Sequence, residues 1–253
     1  MSHVLAVDQG TSGTKAIVVD DAGRVVSIAE VALRPRYLPG GGVEQDPEAL
    51  WDSVVDAGRR ALAEAGVPVA AVALANQGET VLAWDRATGR PLSPAIVWQD
   101  RRSETICADL AGSAAAVARH TGLVLDPYFS APKMAWIRAN LTIDGVVTTT
   151  DTWLVHRLCG AFVTDVSTAS RSLLLDLDSA TWRGDLLELF GAKSERLTGT
   201  LPPIGKDIEP WTRTLSADKT IRHNRPPTIS DWRRSNPGSA HARLHMEFIR
   251  SAT

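Results

Sequence analysis

Short apolar runs broken by turn residues open the chain, and they predict strands over 3–8, 14–20 and 24–33. Asp20-Asp21-Ala22-Gly23 supplies the turn between the second and third. A polar stretch rich in glycine and proline, 34–46, then reads as a loop. The period changes after it. Leu50, Trp51, Val54, Val55, Ala57, Gly58, Ala61 and Leu62 fall on one helical face, with Asp46 as N-cap, Pro47 in the first turn and Gly66 as the stop. Further strands are predicted over 69–75, 80–84 and 95–98, with a turn over 85–90. Helices follow over 101–111, 113–120, 131–140, 151–158 and 181–190, Gly160 and Gly191 closing the last two. The order β-β-β-α-β, then mixed helices and short strands, signals an α/β sheet covered by helices.

The periodicity fails toward the C-terminus. Only 13 of the 43 residues in 211–253 are hydrophobic, against 44% overall, and only 240–250 could form a short helix. Charge divides the same way: 8 Lys/Arg against 3 Asp/Glu in 211–253 leaves a basic tail on an acidic body, within a net charge of −2. That near-neutral total argues against a nucleic-acid partner. No apolar run reaches the roughly 18 residues of a membrane helix, and no basic segment with an apolar core precedes the first strand. Cys107 and Cys159 have no metal-like spacing and read as reduced thiols. Together these features imply a cytoplasmic protein.

The candidate chemistry sits in the first turn, Asp8-Gln9-Gly10-Thr11-Ser12-Gly13-Thr14-Lys15. Small residues, backbone N–H groups, hydroxyls and one carboxylate at a strand end suit a polyphosphate with its magnesium ion. Gly10 and Gly13 would let phosphate approach the main chain. An ordinary β-hairpin, with Asp and Gly meeting turn geometry, explains the same residues.

Four further segments decide between these readings. They are Val43-Glu44-Gln45-Asp46-Pro47 with Trp51, Ala75-Asn76-Gln77-Gly78-Glu79-Thr80, Ala95-Ile96-Val97-Trp98-Gln99-Asp100-Arg101-Arg102, and Thr150-Asp151-Thr152-Trp153-Leu154 extended by 164–171. In order and spacing, together with the first turn, they resemble the FGGY carbohydrate kinases, most closely the glycerol-kinase branch, from about Val4 to about Pro203. The resemblance implies a ribonuclease-H-like domain of the actin-like ATPase superfamily. It implies ATP-dependent phosphorylation of a hydroxyl on a small polyol or sugar, with ATP and Mg²⁺ as cofactors. Asp8 would organise the metal, and 8–15 would place the phosphates. Gln77, Gly78, Glu79, Trp98 and Tyr128 would line the acceptor site, while Trp153 and Leu154 would be core. A full-length parent of this kind could form homo-oligomers.

Two departures stand out. Gly78 occupies the place where the similar pattern Asn-Gln-Arg-Glu has its arginine, which puts glycerol itself in doubt and leaves room for a larger polyol or sugar. The family's Gly-Asp-Gln segment, whose Asp is the general base, and its adenosine-holding second domain have no counterpart; Asp207, Asp218 and Asp231 lack the flanking residues. The expected organisation is therefore an incomplete N-terminal kinase domain over 1–204 and an atypical, poorly ordered tail over 205–253. Such a chain is expected to be inactive or nearly so by itself. The alternative is a non-catalytic polyol-binding half-kinase or a gene remnant.

Overall fold

A computed structural model describes residues 2–192 and the backbone of 199–201. Strands β1 (His3–Gln9), β2 (Gly13–Asp20) and β3 (Val25–Ala32) form the expected antiparallel meander. Helix α1 (Pro47–Ala65) leads to β6 (Ala71–Asn76), which pairs with β1 in parallel and completes a sheet of order β3-β2-β1-β6. Because side chains alternate across a strand, β1 and β2 turn one row toward α1: Leu5 opposite Val18, Val7 opposite Ala16, Gln9 opposite Thr14. Leu50, Val54, Ala57 and Ala61 of α1 close on that row, and the alanines keep helix and sheet close. The helix ends as its sequence indicates. Asp46 accepts a hydrogen bond from the Glu48 N–H at 3.0 Å, and Gly66 adopts φ +62° while its N–H caps Leu62.

The stretch expected as a loop over 34–46 holds two strands instead, β4 (Arg36–Leu38) and β5 (Gly42–Gln45). With β7 (Val81–Trp84), β8 (Ala95–Ile96) and β9 (Val146–Thr149) they make an antiparallel sheet of order β4-β5-β8-β7-β9. The polarity of Glu44 and Gln45 hid β5. Both are buried because partners satisfy them, Glu44 through Arg36 at 2.8 Å and Arg102 at 2.9 Å. Strand β7 is fully buried and divides two cores. Leu82 and Trp84 join the α1 side. Val81 and Ala83 join Phe129, Met134, Ile137 and Leu173 on the other.

The remaining helices are α2 (Glu104–Asp109), α3 (Ala114–Thr121), α4 (Ser130–Asn140), α5 (Thr150–Cys159), α6 (Val166–Ser170) and α7 (Gly184–Leu189). Strand β10 (Val163–Asp165) pairs in parallel with β13 (Gly199–Leu201), and β11 (Leu175–Asp176) pairs with β12 (Thr181–Trp182). The helix expected over 181–190 is thus a two-residue strand followed by a shorter helix. Trp153 and Leu154 are fully buried, as expected of core. Cys107 is buried, Cys159 half-buried, and both are free thiols. Among the described residues no helix is long and apolar enough to cross a membrane. The tail over 205–253, with its candidate helix 240–250, lies outside the described residues.

Replacing Asp46 with Ala leaves the α1 N-terminus uncapped and is expected to cost about 1 kcal/mol in chemical denaturation. An unchanged unfolding midpoint would remove that cap from the account.

Candidate functional site

Because β1 and β6 run in parallel and in register, with Gln9 beside Asn76, their C-terminal ends deliver two loops to the same place. The first loop divides its side chains between solvent and interior. Asp8 is exposed and faces away from α1; among the described residues its carboxylate has no hydrogen-bond partner. Across the strand pair stands Lys15, whose ammonium pairs with Glu30 at 2.8 Å. That hydrogen bond and the Glu30 charge raise the Lys15 pKa, and Asp8 adds a smaller push the same way. Ser12 is exposed too. The loop is closed by the Gly10 N–H donating to the Gly13 carbonyl at 2.8 Å, and tied to β3 by Leu33 N–H on the Ser12 carbonyl at 3.0 Å. A Cβ on Gly13 would lie 2.7 Å from the Val31 carbonyl oxygen, so the neighbouring strand itself demands glycine there.

The other side chains of the loop hold it from beneath. Thr14 is buried, its hydroxyl 2.7 Å from that of Ser53, which donates to the Leu50 carbonyl. Gln9 is fully buried; its Nε2 donates to the Gly10 carbonyl at 2.7 Å and its Oε1 accepts from Asn76 at 2.7 Å. Thr11 is the junction. Its hydroxyl donates to Gln77 Oε1 at 2.9 Å and accepts from the Trp98 indole N–H at 2.9 Å. The Thr11 carbonyl accepts from Gln45 Nε2 at 2.8 Å, and Gln77 Nε2 returns to Gln45 Oε1 at 2.7 Å. The structure thereby places Gln77 and Trp98 against the first loop.

Beyond Gln77 the second loop carries Glu79 in a left-handed backbone conformation, φ +61°. A side chain other than glycine in that region is strained, and such strain persists only where surroundings enforce it. Glu79 is buried, and Oε1 accepts from Arg171 Nε at 2.7 Å. The Arg171 guanidinium lies 5.0 Å from the Phe129 ring centroid and 5.6 Å from that of Tyr128. Trp98 meets Tyr128 edge-on, centroids 5.4 Å apart. Gly78 is open: nothing lies within 4 Å of where its Cβ would be. Asp100, by contrast, is internal. It is buried, ion-paired to Arg102 at 2.7 Å, and accepts from the Val43 N–H.

Tyr128 is held from below by Lys133, a residue the sequence did not single out. Lys133 is fully buried, and its Nζ donates to the carbonyls of Pro127, Tyr128 and Phe129. Burial lowers its pKa to about 7, against the opposing charges of Glu79, Asp100, Cys107 and Asp126. The available signal was a lysine among Ala131, Met134 and Ile137, the buried positions of α4.

These loops can be set beside known proteins. A model of the N-terminal domain of the FGGY family of carbohydrate kinases matches residues 3–213. The chain belongs to this family. The glycerol kinase of Delftia acidovorans is 42% identical over 217 residues, which span 80% of this chain and 44% of that protein. A crystal structure of Plasmodium falciparum glycerol kinase with ADP superposes with a TM-score of 0.75 at 28% identity, covering 79% of this chain and 43% of the other. A ligand-bound xylulose kinase from Lactobacillus acidophilus gives the same TM-score at 23% identity, covering 81% and 43%, and supports the fold alone. The fold is thus the actin-like ATPase fold of the sugar kinases, as its resemblance implied. The FGGY chain described here spans less than half the length of the curated relatives it matches.

Lys133→Met strips three buried carbonyls of their donor and is expected to cost on the order of 2–3 kcal/mol. A lysine lowered to about 7 from 10.5 binds fewer protons folded than unfolded, so wild-type stability should climb as pH rises above 7. Denaturation midpoints compared below pH 9 check this, because the Cys107 thiol, pushed up to about 11 by burial, acts with the opposite sign above that value. A slope that Lys133→Met leaves in place would contradict the assignment.

Proposed function

We propose that this chain supplies the phosphate- and acceptor-binding half of an ATP-dependent kinase that phosphorylates a hydroxyl of a small polyol or sugar. One observation carries the proposal. The Thr11 hydroxyl bonds both Gln77 and Trp98, and Trp98 meets Tyr128, which supports reading the loop bearing Asp8 and those bearing Glu79 and Tyr128 as one site. Nucleotide phosphates would meet Ser12, the Thr11 and Ser12 amides and Lys15, with Gln9 and Thr14 supporting the loop from within. The acceptor would lie against Trp98 and Tyr128, its hydroxyls toward Glu79.

Magnesium fits this arrangement. Among the described residues no group of three or more His, Cys, Asp or Glu could form a protein cage for a metal. A single exposed carboxylate such as Asp8 suits Mg²⁺, which keeps most of its water and takes further oxygens from phosphate. Bound with ATP, the ion would neutralise charge on the transferring phosphoryl group. The chain's own part is to hold Asp8 outward, to keep the Lys15 charge next to it, and to orient the acceptor hydroxyl.

Phosphoryl transfer depends on positioning, and a missing general base alone costs about 10² to 10⁴ in rate. The 253 residues hold no Gly-Asp-Gln segment, so we propose that they bind ligand far better than they turn it over. Calorimetry should detect Mg-ADP, and Asp8→Asn should weaken it about tenfold or more while leaving polyol binding intact. Turnover within the usual enzyme range of about 1 to 10³ s⁻¹ would contradict the half-kinase reading. Absence of Mg-ADP binding by the folded wild type would contradict the phosphate site.

A further inference from the structure

Helix α4 starts with a cation in an unfavourable place. Lys133 lies in its first turn, where the unpaired N–H groups of a helix start disfavour positive charge, and it is fully buried. Its ammonium turns back on the segment that enters the helix and meets three successive carbonyls, those of Pro127, Tyr128 and Phe129. Three N–H groups serve three acceptors, so no proton is spare. A neutral amine has two N–H groups and a lone pair. Loss of one proton therefore leaves one buried carbonyl without its donor, facing that lone pair.

Burial lowers the Lys133 pKa to about 7, against the charges of Glu79, Asp100, Cys107 and Asp126. These groups come from four segments: the loop after β6, the loop after β8, helix α2 and the Tyr128 loop itself. Cations answer the carboxylates, Arg171 pairing with Glu79 at 2.7 Å, Arg102 with Asp100 at 2.7 Å and Arg101 with Asp126 at 3.2 Å. The Cys107 thiol, pushed up to about 11 by burial, does not titrate in the range where Lys133 does. Asp126 ties the same segment at its start, its carboxylate accepting from the Tyr128 N–H at 2.8 Å. Beyond that tie the Tyr128 ring meets Trp98 and Phe129 edge-on, centroids 5.4 and 5.2 Å apart.

We propose that Lys133 is a proton-gated positioning residue: its charged ammonium locks the Tyr128 ring against Trp98, and loss of one proton releases the segment and the ring. A second arrangement needs a second donor. Ser130, the first residue of α4, holds a buried hydroxyl with no hydrogen-bond partner among the described residues, and in the released form it serves the carbonyl that Lys133 gives up. The inference concerns the loop itself and goes beyond the function proposed above, so no ligand enters its test.

NMR of the full chain, followed through its lysine and tyrosine side chains, supplies that test. The chain has two tyrosines, and Tyr37, exposed on β4, is the control. The ε-carbon signal of Lys133 should titrate with a midpoint of about 7. The Tyr128–Trp98 ring NOE should weaken severalfold from about pH 6 to about pH 8.5 with the same midpoint, while Tyr37 stays unmoved. An NOE reports distance, so a change of charge without motion leaves it as it was. Lys133→Arg keeps the cation and should hold the NOE at both pH values, and Lys133→Met should abolish its pH dependence. A folded variant of either kind whose NOE still follows pH would overturn the proposal. So would a wild type in which no lysine titrates over that range, or in which Lys133 titrates and the NOE is unchanged. These wild-type results decide the matter if neither variant folds.

Discussion

The Thr11 hydroxyl is the constraint on which the site depends. It has one proton and gives it to Gln77, and it takes one from Trp98. With the direction of those two bonds fixed, the neighbouring amides follow. Gln77 must turn its oxygen to Thr11, so its NH₂ faces Gln45. Gln45 must then turn its own NH₂ to the Thr11 carbonyl. Gln9 accepts from Asn76, whose oxygen accepts from Thr150 at the start of α5. Each bond is worth only about 1 kcal/mol net, yet removing one partner leaves a partly buried polar group unmet at about 1–3 kcal/mol. The network therefore resists partial loss, and it holds two loops from different parts of the chain in one orientation.

From that junction the fold extends outward in two directions. Toward solvent, β1 delivers Asp8 and β2 delivers Lys15 on the face away from α1. On the other side, the strained backbone at Glu79 is held by Arg171 and the Tyr128 loop by three carbonyl bonds to Lys133. Two buried ionisable groups, Glu79 and Lys133, thus anchor the two loops through their hydrogen bonds. Such groups are costly to bury and destabilising to disrupt, and here they set the position of both loops.

The meander, α1 and its caps were legible because apolar period, Asp46, Pro47 and Gly66 all indicate the same element. Strand β5 was not, because Glu44 and Gln45 look exposed until Arg36, Arg102 and Gln77 are known to satisfy them. The site was legible as a set of segments, since five motifs in order carry the family. The division of labour within the first loop was not. Thr14 and Thr11 look alike in sequence, yet one hydroxyl bonds to Ser53 in the core and the other bridges to Gln77 and Trp98. Gly13 was explained by phosphate approach, whereas the Val31 carbonyl alone already requires it. Arg171 acts through a contact across 92 residues, which no local pattern records, whereas Lys133 bonds carbonyls only four to six residues away and was marked by its place among buried helix positions.

The most direct test of this account is hydrogen exchange at the Trp98 indole N–H, followed by NMR in wild type and in Thr11→Val. Valine keeps the shape of threonine and removes only the hydroxyl. The account predicts a slowly exchanging indole in wild type, a faster one in the variant, and shifted side-chain amide signals for Gln77 and Gln45. An indole that exchanges equally fast in both proteins, with those amides unmoved, would contradict it.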